Sequence, residues 1–442
     1  MGALSYALDI TEGQPAGHCI RCCWIGMSIG QKLALDESQL WELYYVLLLK
    51  DLGCSSNASR ICELYLTDDL SFKRDFKWVD GSLPQVLRFV LRHTGTSAGL
   101  VDRLKAITEI FKHGDEIAQE LIQTRCTRGA DIARRLRFSE PIADGIHALD
   151  EHWNGHGRPE GLAGSQIPLY ARIALLAQVI DVMNSSQGAA ATLAEVKERS
   201  GVWFDPELVA AFTAVAVDPA FWQNLNAVDL ETRILALEPG QYTKPLDEDF
   251  LDDIAEAFGQ VVDAKSPFTA GHSARVGLYT ILLAEDLGLP EPRRRWLKRG
   301  ALLHDVGKLG VSNSILDKPG KLDEAEWAAV QKHAAFTQVI LGRIDVFAEL
   351  ARVASAHHER LDGKGYPLGL SGDQIALETR IITTADIFDA ITAERPYRGA
   401  IPVDKTLAIM GETVGTALDP ACFASLQRMV KNHPELFSQV KS

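Results

Sequence analysis

The chain contains an internal repeat, which requires its two halves to fold alike. Residues 151–162 read EHWNGHGRPEGL and residues 359–370 read ERLDGKGYPLGL, an offset of 208 (359 − 151). Farther upstream, residues 17–18 match 271–272 with an offset of 254 (271 − 17). The first copy therefore carries about 46 additional residues (254 − 208), and the polar tract around 55–110 is the natural place for them.

Each copy shows the apolar spacing of amphipathic α-helices. In the second copy, apolar residues recur every three to four positions over 250–262 and 323–341, which is a helical period. Patterns that alternate as strands do are scarce. We therefore predict an all-α protein of two tandem helical domains, residues 1–222 and 248–442. A linker is expected over 223–247, where proline and glycine interrupt the helical pattern.

The composition is that of a folded protein that does not coat nucleic acid. Of 442 residues, 46% are apolar and 24% are charged, and the net charge is −14. Such an acidic surface argues against a nucleic-acid polymer as partner, although a local metal site could still hold a phosphate. No apolar run is long enough to predict a membrane span, and no signal peptide is apparent. The seven cysteines lack a regular spacing, so we expect a cytoplasmic protein without a disulfide framework.

Histidines and aspartates accumulate in the second copy. An apolar run ends in His304-Asp305, and Gly307 and Lys308 follow. Further potential ligands are His272, His333, His357, His358 and Asp386. Imidazole suits iron, manganese, nickel and zinc, and carboxylates suit harder cations. The set is too large for one tetrahedral ion, so the pattern indicates a metal site with more than one cation.

The motifs resemble those of a known family. Their order is similar to that of the HD superfamily of metal-dependent phosphohydrolases. The stretch 357–367 (HHERLDGKGYP), together with 395–398 (RPYR) and 418–420 (LDP), resembles the HD-GYP branch. The resemblance covers about residues 250–430. It implies an enzyme that opens a cyclic dinucleotide, either cyclic di-GMP or 3',3'-cyclic GMP-AMP, to the linear dinucleotide.

The same resemblance implies a ligand set for two divalent transition metals. His272, His304 and Asp386 would hold one ion, His333, His357 and His358 the other, and Asp305 would bridge them and act in catalysis. Iron or manganese is expected, with nickel and zinc as alternatives. Phe268 stands where some relatives carry a glutamate ligand for a third ion, so two ions are expected.

Three cationic residues are candidate substrate contacts. Lys308 could contact the phosphate or aid the leaving oxygen, and the guanidinium groups of Arg395 and Arg398 suit a second phosphate. The alternatives are a helix-end lysine that faces water and a solvated loop. Tyr366 is expected to brace the loop, and Asp362 could hold a ligand histidine.

The first copy lacks most of these ligands. Lys50 replaces His304, Arg125 replaces His333 by ungapped alignment, residues 149–150 are Leu-Asp, and Gln178 replaces Asp386. We expect a pseudo-enzyme in which Lys50 pairs with the adjacent aspartate. Its role would be structural or regulatory, with a homodimer or a signalling partner as the interaction it could mediate.

Two other functions remain as alternatives. One is an HD phosphohydrolase that acts on another nucleotide, and the loop 365–367 with the arginines argues against it. The other is a non-catalytic sensor of cyclic dinucleotides, and the full ligand set argues against that.

Overall fold

The chain folds into α-helices. The computed structural model describes residues 2–77, 79, 83–96, 98–238, 247–396 and 398–441, and in these residues it forms no strand. Two compact units are present, Met1–Asp247 and Glu248–Ser442. The all-α prediction with two tandem domains is confirmed.

The described part of the first unit contains twelve α-helices. They are α1 (Gly2–Thr11), α2 (His18–Lys32), α3 (Glu37–Leu49), α4 (Ala58–Tyr65), α5 (Asp69–Phe76), α6 (Leu83–His93), α7 (Leu100–Arg135), α8 (Glu140–His147), α9 (Leu169–Glu198), α10 (Pro206–Ala216), α11 (Pro219–Leu225) and α12 (Leu230–Ala236). Helix α12 packs on α2 and buries Leu230 and Ile234, so part of the segment expected to be a linker is helical. Residues 239–246 of that segment lie outside the described residues.

The described part of the second unit contains nine α-helices. They are α13 (Glu248–Asp263), α14 (His272–Asp286), α15 (Glu291–Leu303), α16 (Asn313–Leu316), α17 (Glu324–Gly342), α18 (Ala348–Ser355), α19 (Leu377–Thr392), α20 (Val403–Gly411) and α21 (Pro420–Asn432). Their core includes Leu283, Leu297, Ile381 and Phe388, all fully buried. Burial of such side chains is the main source of stability in a helical domain.

The additional residues of the first copy form a helical insertion. A Cβ atom on Gly53 would collide with the main-chain oxygen of Arg125, and one on Gly307 would collide with that of His333. Arg125 therefore occupies the position of His333. The separation of the two partners is 72 residues in the first unit (125 − 53) and 26 in the second (333 − 307). The 46 additional residues thus lie in α4, α5, α6 and the start of α7, in agreement with the sequence prediction.

Two further findings concern helix composition. Within the described residues, no helix is both long enough and apolar enough to cross a membrane. Cys19, Cys22 and Cys23 are fully buried on α2.

Candidate metal centre

Helix ends bring most of the candidate ligands together. His272 is the first residue of α14 and follows Gly271, whose φ of 68° is readily adopted only by glycine. His304 and Asp305 follow the last residue of α15, where the chain continues into a 3₁₀ turn over Val306–Gly310. His357 and His358 follow the end of α18. His333 and Asp386 project from within α17 and α19.

The seven side chains form two adjacent groups. The candidate ligand atoms within each group lie within 4.8 Å of one another: the first group is His272, His304 and Asp386, and the second is Asp305, His333, His357 and His358. His358 is partly exposed, and the other six are buried.

Asp305 faces both groups, one with each carboxylate oxygen. Its Oδ2 lies 3.5 Å from Nε2 of His272 and 3.3 Å from Nε2 of His304. Its Oδ1 lies 3.4 Å from Nε2 of His333 and 3.7 Å from Nε2 of His357. A carboxylate with this arrangement is suited to bridge two cations.

Four imidazoles are held in the form that a metal ion requires. The Nδ1 atoms of His304, His333 and His357 lie 2.6, 2.5 and 2.7 Å from the main-chain oxygens of the residues three positions earlier. Nδ1 of His272 lies 2.7 Å from Oδ2 of Asp389. Because these acceptors hold a proton on Nδ1, Nε2 is the ring atom of each imidazole that is left to bind a metal ion.

The residues present therefore fit a metal centre. Among the described residues, Nε2 of His272, Nε2 of His304 and Oδ1 of Asp305 are buried without a hydrogen-bond partner. Buried polar atoms without partners are costly, and bound cations would satisfy all three atoms.

The charges of the two groups differ. Burial alone would lower the pKa of His304, but Asp305 and Asp386 outweigh it and raise that pKa to about 9. The pKa of His358 is lowered to about 3 by burial and by the neighbouring His333. The first group therefore attracts positive charge, whereas the imidazole of His358 stays neutral, as ligation requires.

Hydrogen bonds to the main chain fix the ligand positions. The hydroxyl of Thr337 donates to the carbonyl of His304 at 2.9 Å and accepts from the amide of Gly307 at 3.0 Å. Thr383 donates to the carbonyl of His357 at 2.7 Å. The carboxylate of Glu359 accepts the amides of residues 368, 369 and 370. The loop after the two histidines is therefore tied to the chain segment that carries them.

Sequence reasoning missed Asp389. This buried carboxylate contacts Nδ1 of His272 and is itself held by the guanidinium group of Arg275, with Nε at 2.6 Å. The signal was present in the repeat, because Asp181 and Arg21 occupy the matching positions of the first copy. Asp362, which we expected to hold a ligand histidine, pairs instead with Arg360 at 2.7 Å.

Lys308 and two aromatic side chains border the cluster. The ammonium group of Lys308 contacts Oδ2 of Asp305. The ring of Tyr366 lies 4.7 Å from that of His358 at 30°, and the ring of Trp327 lies 6.3 Å from Tyr366. The side chain of Trp327 is nevertheless 48% exposed, and sequence reasoning had not singled it out.

The two arginines have main-chain partners. Arg398 donates to the carbonyl of Ile391 at 2.8 Å and to that of Ala390 at 2.5 Å, and Arg395 donates to Ala390 at 3.3 Å. The end of α19 thus competes with a substrate phosphate for these donors. The last carbonyls of a helix need hydrogen-bond partners from outside the helix. The sequence does not show which side chains provide them, so it could not reveal this competition.

In the first unit, side-chain cations lie where the second unit has metal ligands. The ammonium group of Lys50 contacts Asp51 and lies 3.0 Å from Nε2 of His18. That of Lys77 lies 2.9 Å from Glu12 and 3.9 Å from Asp51. The predicted pair of Lys50 and Asp51 is present.

Two groups of three side chains in the first unit also have metal-like spacing. They are His18, Cys22 and Asp181, and Glu12, Asp51 and Cys54. Burial raises the pKa of both cysteine thiols above its usual range, whereas metal ligation requires thiolates. Arg21 already pairs with Asp181, and Lys50 and Lys77 neutralise Asp51 and Glu12, so these groups fit a metal poorly.

A helical domain built on a buried His-Asp pair with further convergent histidines defines a protein of the metal-dependent phosphohydrolase class. The family model described as HD domain matches residues 98–208 and 256–422. The chain therefore belongs to the HD domain family, with the tandem HD-GYP arrangement that the motifs predicted.

Similar proteins are known from bacteria. The chain is 58% identical over 440 residues to 3'3'-cGAMP-specific phosphodiesterase 3 of Vibrio cholerae. The match covers 100% of this chain and 96% of that protein. A crystal structure of a cyclic GMP-AMP-specific phosphodiesterase of V. cholerae (V-cGAP3) shares 53% identity, with a TM-score of 0.67 over 99% of this chain and 98% of that chain. The cyclic di-GMP phosphodiesterase response regulator RpfG of Xanthomonas campestris is 37% identical over 46% of this chain and 53% of that protein.

Proposed function

We propose that the second unit is a phosphodiesterase that hydrolyses 3',3'-cyclic GMP-AMP to the linear dinucleotide. The observation that carries this proposal is the carboxylate of Asp305, whose two oxygens face two separate groups of ligands. The choice of substrate rests on similarity. The relative named for cyclic GMP-AMP matches this chain over its whole length, whereas RpfG matches less than half of it.

Seven side chains would hold two divalent cations. His272, His304 and Asp386 would bind one ion, His333, His357 and His358 the other, and Asp305 both. Bound cations of this kind neutralise phosphoryl oxygens and activate water for attack. Four protein contacts to each ion leave positions for water and substrate, which suits iron or manganese better than tetrahedral zinc.

Other residues of the chain would handle the substrate. Lys308, which contacts Asp305 and is 19% exposed where Asp305 is 2% exposed, would place its ammonium group against the phosphate. Trp327 presents an exposed aromatic ring 6.3 Å from that of Tyr366, which in turn lies beside His358, and exposed aromatic faces stack on nucleobases. Arg395 and Arg398 would mainly brace the chain after α19, because helix-end carbonyls use part of their hydrogen-bonding capacity.

The first unit would be a pseudo-enzyme. Lys50 and Lys77 would replace the positive charge of the two ions, since both ammonium groups lie beside Asp51, the equivalent of Asp305. The unit would keep its fold without metal and would serve a structural or regulatory role.

The test is hydrolysis of two dinucleotides by the purified full chain. The metal-free protein is loaded with Mn²⁺ or Fe²⁺, incubated with 3',3'-cyclic GMP-AMP or cyclic di-GMP, and the products are separated by chromatography. We expect linear GMP-AMP, with no turnover after chelation and two ions per chain by elemental analysis. Preferred cleavage of cyclic di-GMP would contradict the substrate assignment.

Asp305→Asn provides the control for the site. It keeps the size of the side chain but weakens both ion contacts, so bound metal and turnover should fall together. An Asp305→Asn protein with its full metal content and most of its rate would contradict the two-ion assignment.

A further inference from the structure

The insertion of the first unit exposes an unusual amount of apolar surface. On α6, Leu87 and Leu91 are each 45% exposed. On the first part of α7, Leu100, Val101 and Leu104 are 77%, 65% and 64% exposed, and Phe111 is 50% exposed. We call these six side chains the outer face. Clustered exposed apolar side chains of this kind mark an interaction site more often than singly scattered ones do.

The internal packing of the insertion does not require the outer face. Its small core is built from the opposite sides of the same helices, with Phe89 and Val90 of α6 and Ile110 of α7 buried. Helix α7 departs from helical geometry at His113 (φ −122°, ψ 18°). The exposed apolar residues of α7 all precede this kink.

Helices α6 and α7 present their parts of the outer face side by side. The guanidinium group of Arg103 donates to the carbonyl of Leu91 at 2.8 Å, which places Leu91 close to the turn of α7 that carries Leu104. A depression along α6 is lined by Pro84, Leu87 and Leu91 together with Arg88 and Arg92. The outer face is therefore one surface shared by two helices.

A row of charges of alternating sign follows the outer face along α7. Its members are exposed and are spaced three and four residues apart: Asp102, Lys105, Glu109, Lys112 and Glu116. The mean spacing of 3.5 residues is that of helices that pair along their length. The first four members of this row are charge-complementary to a reversed copy of themselves, in a register that leaves Glu116 opposite Ala98. With residue 102 opposite 112, residue 105 stands opposite 109, and both contacts join opposite charges.

The same alignment brings Leu104 near an exposed apolar side chain of the partner and sets Leu100 and Val101 opposite Gly114 and His113. It sets position 104 opposite 110, so that Leu104 comes within one residue position of the partner's Phe111. Isologous contacts of this type are the rule in two-fold symmetric dimers. A charge order that matches its own reversed copy favours a second copy of this chain over a partner of another sequence.

We propose that the outer face is the interface of a homodimer, in which α6 and the first part of α7 pair antiparallel with those of a second copy about a two-fold axis. The second copy buries Leu87, Leu91, Leu100, Val101, Leu104 and Phe111 and matches its charge row to the first. The proposal concerns the first unit alone and does not depend on the activity of the second.

The test measures the mass of the full-length protein in solution against concentration, by sedimentation or light scattering. We expect a dimer whose dissociation constant rises more than about tenfold in Asp102→Lys and in Lys112→Asp, because each change places like charges in contact. The double variant Asp102→Lys/Lys112→Asp should restore the wild-type dissociation constant. These two residues are ten positions apart in one helix and too distant to contact each other within one chain. Restored dimerisation in the double variant therefore reports a contact between chains.

Leu104→Glu should give a monomer, and Val217→Glu, at a side chain that is 78% exposed elsewhere in the first unit, should leave the dimer intact. Circular dichroism would verify that each variant is folded. A wild-type chain that is monomeric at about 100 µM, where weak dimers still form, would overturn the proposal and assign the outer face to a different protein. Failure of the double charge reversal to restore dimerisation would overturn the antiparallel pairing.

Discussion

Nδ1 of His272 lies 2.7 Å from the carboxylate of Asp389, and His18 makes the same 2.7 Å contact with Asp181 in the first unit. In both units an arginine holds the carboxylate, with Nε at 2.6 Å. The units differ in what the other ring nitrogen faces. Nε2 of His272 faces two carboxylates, whereas Nε2 of His18 faces the ammonium group of Lys50. Both units thus have the contact that orients the histidine, although the first unit lacks most of the metal ligands.

Asp389→Asn should weaken metal binding without unfolding the protein. The loss of negative charge makes the imidazole of His272 a poorer ligand, and changes of this kind cost about 10- to 100-fold in metal affinity. Competition with a chelator would measure the affinity. Asp181→Asn is the matched control, since the same contact is altered in a unit without the full ligand set, and it should leave metal affinity unchanged. Equal effects of the two changes would show that Asp389 acts only on the fold.

Lys308→Met should lower kcat while both metal ions remain bound. The ammonium group contacts Asp305 beside the cluster, and loss of one donor to a developing negative charge typically costs about 100-fold or more in kcat. Steady-state kinetics with elemental analysis of the same preparation would measure both quantities. Lys405→Met, at an exposed position of α20, should change neither. Loss of metal from Lys308→Met would mean that this residue supports the centre and does not act on the substrate.

Trp327→Ala should raise KM for the dinucleotide, with kcat and metal content little changed. Stacking on one base contributes about 1–3 kcal/mol, which corresponds to a rise in KM of about 5- to 150-fold. Trp327→Phe should recover most of the effect because it keeps an aromatic face. Val339→Ala, on the exposed side of the same helix, serves as control. An unchanged KM in Trp327→Ala would exclude the stacking role.

Lys50→Met should destabilise the first unit more than Lys50→Met combined with Asp51→Leu. Both side chains are buried, and removal of one partner of a buried ion pair costs about 3–5 kcal/mol, whereas apolar replacement of both is often neutral. Six of the eight tryptophans lie in the first unit, so denaturant unfolding followed by tryptophan fluorescence reports mainly on it. A cost below about 1 kcal/mol for Lys50→Met, the range of surface ion pairs, would contradict the view that Lys50 replaces a metal ion.

The sequence by itself determined the class of fold and the set of candidate metal ligands. Helical periodicity is set by residues three and four positions apart, so it can be read locally, and the all-α architecture followed from it. The order of the histidine and aspartate motifs identified the family. The two offsets of the repeat located the insertion, because a difference in spacing is a property of the chain and not of its packing.

The tertiary structure decided how distant residues meet. His272 and Asp389 are 117 positions apart, and no local pattern indicates that they touch. The orientation of Asp305 towards both groups, the main-chain partners of Arg398 and the contact of Lys77 with Asp51 likewise depend on how helix ends are packed together. The exposure of the outer face of the insertion also depends on packing. The sequence shows that an amphipathic helix has an apolar side, but only the tertiary structure shows whether that side is buried.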